Sequence, residues 1–111
     1  MANPKNPKQR FGDKKTPFFL IPTLPLTDVA WVMKSGAEKY NPFNWRKTKV
    51  YASTYISATQ RHFFAWIEGE DVDPESKRHH LAHVIANILI LLDAAMTRTL
   101  IDDRPKTHKG R

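Results

Sequence analysis

No cysteine occurs in this 111-residue chain. That absence removes disulfide bonds, thiolate catalysis and any Cys-ligated zinc site, and it fits a reducing compartment. The four glycines form neither a P-loop nor a dinucleotide-binding turn. Zinc-finger spacing is missing too, as is any serine nucleophile motif. Apolar runs are short: the longest, Val84 to Met96, is broken by Asn87 and Asp93 and is too short and polar to span a bilayer. Lys5, Lys8 and Arg10 are not followed by an apolar segment, so no signal peptide is expected. These absences predict a cytoplasmic protein that makes no membrane contact.

Basic charge is abundant but unevenly placed. The net charge is +7: residues 1–15 contribute +4, residues 98–111 contribute +3, and residues 16–97 balance eight basic against eight acidic groups. The excess thus sits in Pro/Lys-rich ends, which predicts basic flexible tails at 1–16 and 101–111 around a folded domain at 17–100. Such tails aid solubility or touch nucleic acid nonspecifically, and the neutral middle argues against specific nucleic-acid binding.

Periodicity points to an all-α fold. Thr27 can cap a first helix running to Tyr40, with Val29, Val32, Met33 and Ala37 as its apolar stripe. Gly36 weakens its last turn or leaves room for a neighbour or ligand. A second helix is predicted from Tyr51 to Ile67, ended by Gly69. Asp73-Pro74-Glu75 then reads as cap, first-position proline and first-turn acid of a long third helix reaching Leu100. Its second half is apolar around much of its circumference, so a second subunit is the expected cover, giving a helical bundle completed by oligomerisation as a dimer or tetramer.

The segment from Glu68 to Asn87 concentrates polar groups beside that apolar stretch. Dense carboxylates are costly unless a cation or arginines compensate them, although a solvated loop and helix cap would also explain Asp73 and Glu75. His80, His83 and Asn87 fall on one helical face, joined by Ser76. Polar groups there need partners: they are either core groups bonded to a neighbouring helix or ligands of a metal or substrate. A mixed Asp/Glu/His site suits Mg²⁺ or Mn²⁺, with zinc as runner-up. Arg61 is either a phosphate ligand or a surface salt-bridge partner. Glu38, Lys39, Tyr40, Asn44, Trp45 and Arg46 supply aromatic faces, amides and cations of the kind that hold nucleotides, or a loop pinned by its aromatics.

The phrases GAEKYNPFNWR, RHFFAWIEGEDVDPES and HLAHVIAN, in this order and spacing, resemble the N-terminal domain of phage dATP/dGTP diphosphohydrolases. That family is related to the MazG-like all-α nucleoside triphosphate pyrophosphatases. The resemblance covers Pro25 to Asp93 and implies an oligomeric enzyme cutting a purine deoxynucleotide between its α- and β-phosphates. If the chain is phage-encoded, the host cytoplasm would be its location. The wider superfamily holds Mg²⁺ or Mn²⁺ with E-x-x-E and E-x-x-D helices. Here His80-Leu-Ala-His83 replaces the second motif, and Lys77 stands where the family usually has glycine. The resemblance implies Glu70, Asp73, His80 and His83 around metal, with Glu38 or Glu70 orienting water. It also implies Lys39, Arg46 and Arg61 on the triphosphate and Asn44 and Asn87 on sugar or base. Rival readings are a non-catalytic oligomeric adaptor, or a small nucleic-acid-binding protein working through its tails.

Overall fold

The computed structural model describes residues 6–108. The outermost parts of both predicted tails, residues 1–5 and 109–111, lie outside the described residues. Among the described residues, five α-helices form an all-α bundle: α1 (Pro7–Gly12), α2 (Thr23–Tyr40), α3 (Asn44–Lys47), α4 (Ala52–Ile67) and α5 (His80–Met96). A two-residue parallel pair, β1 (Val50–Tyr51) with β2 (Leu100–Ile101), ties the start of α4 to the chain leaving α5. Asp103 strengthens that tie by accepting hydrogen bonds from the Ser53 backbone N–H and hydroxyl. No helix among the described residues is long and apolar enough to cross a membrane.

Helix α2 starts four residues before the predicted Thr27. Pro25 occupies its third position, where the backbone N–H has no intrahelical partner in any helix, so the proline removes nothing. One face of α2 buries Val29 and packs Val32 and Met33 against Ala82 and Ala86 of α5. Both partners on α5 are alanines, which lets the two helices approach closely, and Arg78 pairs with Asp28 at 3.4 Å beside that contact. Gly36 lies inside α2, and a Cβ added there would meet nothing within 4 Å.

Helix α4 ends where expected. Gly69 adopts φ +103°, a conformation open to glycine, and the Glu70 N–H turns back to the Ala65 carbonyl at 3.0 Å. The chain then differs from the sequence reading: the third helix begins at His80, not at Asp73, and stops at Met96, not at Leu100. The capping signal at Asp73 is real but local, since its carboxylate accepts the Glu75 N–H at 3.1 Å. Lys77 takes φ +64° and breaks propagation. Residues 71–79 instead close a small hairpin, with Asp73 N–H to Arg78 O at 2.9 Å and Val72 bridged to His79. His79 caps α5 through Nδ1, which accepts the Leu81 N–H at 3.0 Å.

Candidate metal centre

The hairpin turn between α4 and α5 brings one α4 residue against the segment that opens α5. His62 of α4, Asp73 of the turn and His83 of α5 each offer a ligand atom, and these atoms lie within 4.8 Å of one another. His62 and His83 stack with ring centroids 4.1 Å apart and planes inclined by 3°. Asp73 Oδ2 lies 3.7 Å from His83 Nε2, and the Ser76 hydroxyl is 2.7 Å from the same nitrogen. Behind His62 stands His80, only 4% exposed. Its Nδ1 is 2.9 Å from His62 Nδ1, and its Nε2 is 2.7 Å from Glu70 Oε1.

Electrostatics match the geometry. Burial pushes the His62 and His83 imidazoles below their usual pKa, and each is lowered further by other histidines in the cluster. Both are therefore disposed to be neutral, the form that binds metal. Burial also pushes the Asp73 carboxyl up. The Glu75 N–H, the Ser76 hydroxyl and the two imidazoles outweigh that effect and hold it below its ordinary value. Two neutral nitrogens and an ionised carboxylate, all half-buried, form a coherent donor set for a divalent cation. Ring lone pairs lie in the ring planes, so the parallel stack shares an ion only after one imidazole tilts.

This cluster lines a cleft of about 1030 Å³ between α2, the α2–α3 loop, α4 and α5. Lys39, Asn44, Arg61, Asp73, His80, His83 and Asn87, all singled out in the sequence, line it. The other candidates lie elsewhere. Glu38 is 67% exposed and pairs with Lys34 at 3.4 Å, while Glu70 reaches the cluster only through His80. Arg46 turns away from the cleft and grips Asp93 with two bonds of 2.8 Å. Trp45 Nε1 donates to the same carboxylate at 2.7 Å, so Asp93 is held down to about 2 by Arg46 and then Trp45. Beside them Phe43 sits at φ +55°, uncommon for a bulky residue, fixed between the Trp45 ring at 5.4 Å and the Arg46 guanidinium at 4.6 Å.

Sequence reasoning missed His62. The available signal was its place on the Tyr55–Thr59–His62 face of α4, where spacing of three and four puts an imidazole in line with half-buried groups.

Fold and site together define a class: an all-α bundle whose helical hairpin carries a His₂Asp donor set at the wall of an open cleft. The chain belongs to the family described as dATP/dGTP diphosphohydrolase, N-terminal, whose model matches residues 5–104. A curated relative, the dATP/dGTP diphosphohydrolase of Salmonella phage PMBT28, is 30% identical over 95 residues, covering 86% of this chain and 32% of that protein. The chain therefore spans about a third of the length of the curated relative it matches. No solved structure matches it significantly.

Proposed function

We propose that the chain is a metal-dependent nucleoside triphosphate diphosphohydrolase acting on purine deoxynucleotides of the dATP/dGTP type, releasing the monophosphate and pyrophosphate. The observation that carries this reading is the convergence of a metal-type donor set with cationic, amide and aromatic groups in one cleft. The relative's name supplies the purine deoxynucleotide class.

His62, Asp73 and His83 would hold a divalent ion such as Mn²⁺ or Mg²⁺. When bound, such an ion polarises phosphoryl oxygens and acidifies water. Lys39 and Arg61 neutralise the triphosphate, Arg61 with the planar fork that suits phosphate oxygens. Asn44 and Asn87 hydrogen-bond sugar or base edges, and Tyr40 offers a stacking face. Glu75 lines the cleft, whereas Glu38 stands outside it, so the water-orienting role passes to Glu75. Attack at the α-phosphorus needs this alignment more than covalent chemistry.

The proposal includes a second subunit. On α5, Ile85, Ile88, Leu89, Leu92 and Met96 are between 38% and 73% exposed, and on α4 Phe63, Phe64 and Ile67 are exposed as well. The radius of gyration, 17.9 Å, exceeds the roughly 13 Å expected for a compact domain of this length. A helical bundle completed by a second copy, as dimer or tetramer, accounts for both; its domain keeps 17–100 together with Ile101 and Asp103, which fasten the start of α4, and only the basic ends beyond these are dispensable. Sedimentation showing only monomer at tens of micromolar would remove this part. The activity itself is tested by following pyrophosphate release from all common nucleoside triphosphates with Mn²⁺ or Mg²⁺. Release that needs His83 and survives loss of residues 1–5 is expected; no release from any of them sinks the function.

A further inference from the structure

Glu70 and His80 have no place in the cleft chemistry above except through His62, and they are linked to it in series. Glu70 Oε1 meets His80 Nε2 at 2.7 Å, and His80 Nδ1 meets His62 Nδ1 at 2.9 Å. His80 is 4% exposed, too buried for water to replace either contact readily, whereas Glu70 reaches solvent. A neutral imidazole has one donor nitrogen and one acceptor nitrogen. A carboxylate only accepts, so His80 donates from Nε2 to Glu70 and accepts at Nδ1. His62 must then donate from its own Nδ1, which leaves Nε2 as its lone-pair nitrogen. Metal-ligating histidines are commonly oriented in this way, by a hydrogen bond on the nitrogen that does not touch the ion.

We propose that Glu70 and His80 are positioning residues that lock His62 in the Nδ1–H tautomer, presenting Nε2 with His83 and Asp73 to a borderline transition-metal ion rather than to Mg²⁺. The donor set supports that choice of ion. Imidazole suits Fe²⁺, Co²⁺ and Zn²⁺, and Mn²⁺ accepts it alongside oxygen donors, while Mg²⁺ takes oxygen ligands and keeps its water. Two nitrogens among three protein donors therefore discriminate by ligand type. This inference rests on the metal reading of the cleft but not on which substrate is cleaved.

Two measurements on the full chain test it without reference to activity. The first is ¹⁵N–¹H NMR of imidazole-labelled protein with chelator present. A protonated Nδ1 and bare Nε2 on His62 is expected, and the opposite tautomer overturns the relay. The second is calorimetric titration with Mn²⁺, Co²⁺, Zn²⁺ and Mg²⁺ separately, with visible absorption for Co²⁺. At least tenfold tighter binding of the transition ions is expected, with Co²⁺ bands that shift or vanish in His62→Ala. Glu70→Ala, which leaves His80 Nε2 without an acceptor, should weaken Mn²⁺ by roughly 10–100-fold, the usual cost of losing such an outer partner. Glu70→Asp should restore part of it. Equal affinity for Mg²⁺ and Mn²⁺, or an unchanged constant in folded Glu70→Ala, overturns the proposal. Transition-metal binding with no triphosphate hydrolysis would sink the proposed function and leave this inference standing. Hydrolysis with Mg²⁺ that ignores His62→Ala would do the reverse.

Discussion

The His62–His80 contact makes a quantitative claim about folding that a double-mutant cycle can check. In His62→Ala, the buried His80 Nδ1 loses its partner at 2.9 Å while remaining 4% exposed. An unmet polar atom in such a place costs about 1–3 kcal/mol. The same substitution also removes the 4.1 Å stack on His83, an aromatic contact contributing roughly 0.5–1.5 kcal/mol. His62→Ala alone should therefore destabilise by about 1.5–4.5 kcal/mol. With a urea slope of about 1.5 kcal/mol/M, the midpoint falls by between about 1 and 3 M. In a His80→Ala background there is no imidazole left to orphan, and only the stacking part of the loss persists. The coupling between the two sites should thus be about 1–3 kcal/mol, well above the few tenths seen between independent positions. The assay is urea unfolding of wild type, both single variants and the double variant. A chelator, about pH 8 and one fixed protomer concentration keep metal, protonation and assembly constant. Additivity within about 0.3 kcal/mol would mean that the two imidazoles do not depend on each other, and the relay built on them would fall.

Three further outcomes follow from the same structure. Gly36→Ala should raise the melting temperature, gaining about 0.5–1 kcal/mol, because the position is helical and an added Cβ meets nothing; a lower melting temperature would refute that packing. Arg61→Ala should raise KM for the triphosphate with little change in stability. Arg46→Ala should lower stability through the Asp93 contact, and a reversed pattern in paired kinetics and melts would exchange their roles. Two regions should respond to pH with the same sign but in different windows. Asp93 is held near 2, below its usual 3.8, so its contribution is complete above about pH 4 and fades as pH falls toward 2; Asp93→Asn should make the decline across that window shallower in thermal melts, with Asp73, Asp102 and Asp103, also held low, supplying what remains. His62 and His83 resist protonation when folded, so the unfolded chain takes up more protons as pH drops below about 6.5. Stability should decline from there, with a shallower slope in His62→Ala.

Much of the helical layout could be read from local signals. Val29, Val32 and Met33 announce the buried face of α2, and Gly69 announces the end of α4. The start of α5 could not be read that way. Asp73-Pro74-Glu75 satisfies every rule for a helix start, but a capping bond closes a turn as readily as it opens a helix. The left-handed Lys77 decides between them, and nothing in its side chain announces that conformation. Ser76 shows the same limit: it lies beside His83 as a helical face would place it, yet it arrives there from a turn. His62 was illegible for a different reason, since its meaning depends on which residues of α5 stand opposite, and inter-helix register leaves no local trace. Arg46 reads as a phosphate ligand until Asp93, forty-seven residues away, takes up its guanidinium.

The hairpin of α4 and α5 is fastened at both ends: by the 71–79 turn near the imidazoles, and by the β1–β2 pair with the Ser53–Asp103 bonds at the far end. A helix pinned twice has little freedom to slide or rotate against its neighbour. Helix α2 is held to α5 mainly by one face of Val29, Val32 and Met33 and by the exposed Arg78–Asp28 pair. The two walls of the cleft thus differ mechanically. The hairpin is an anvil that keeps the donor nitrogens in register, and any change of shape that ligand entry demands falls on α2, which carries Lys39 and Tyr40 like a jaw.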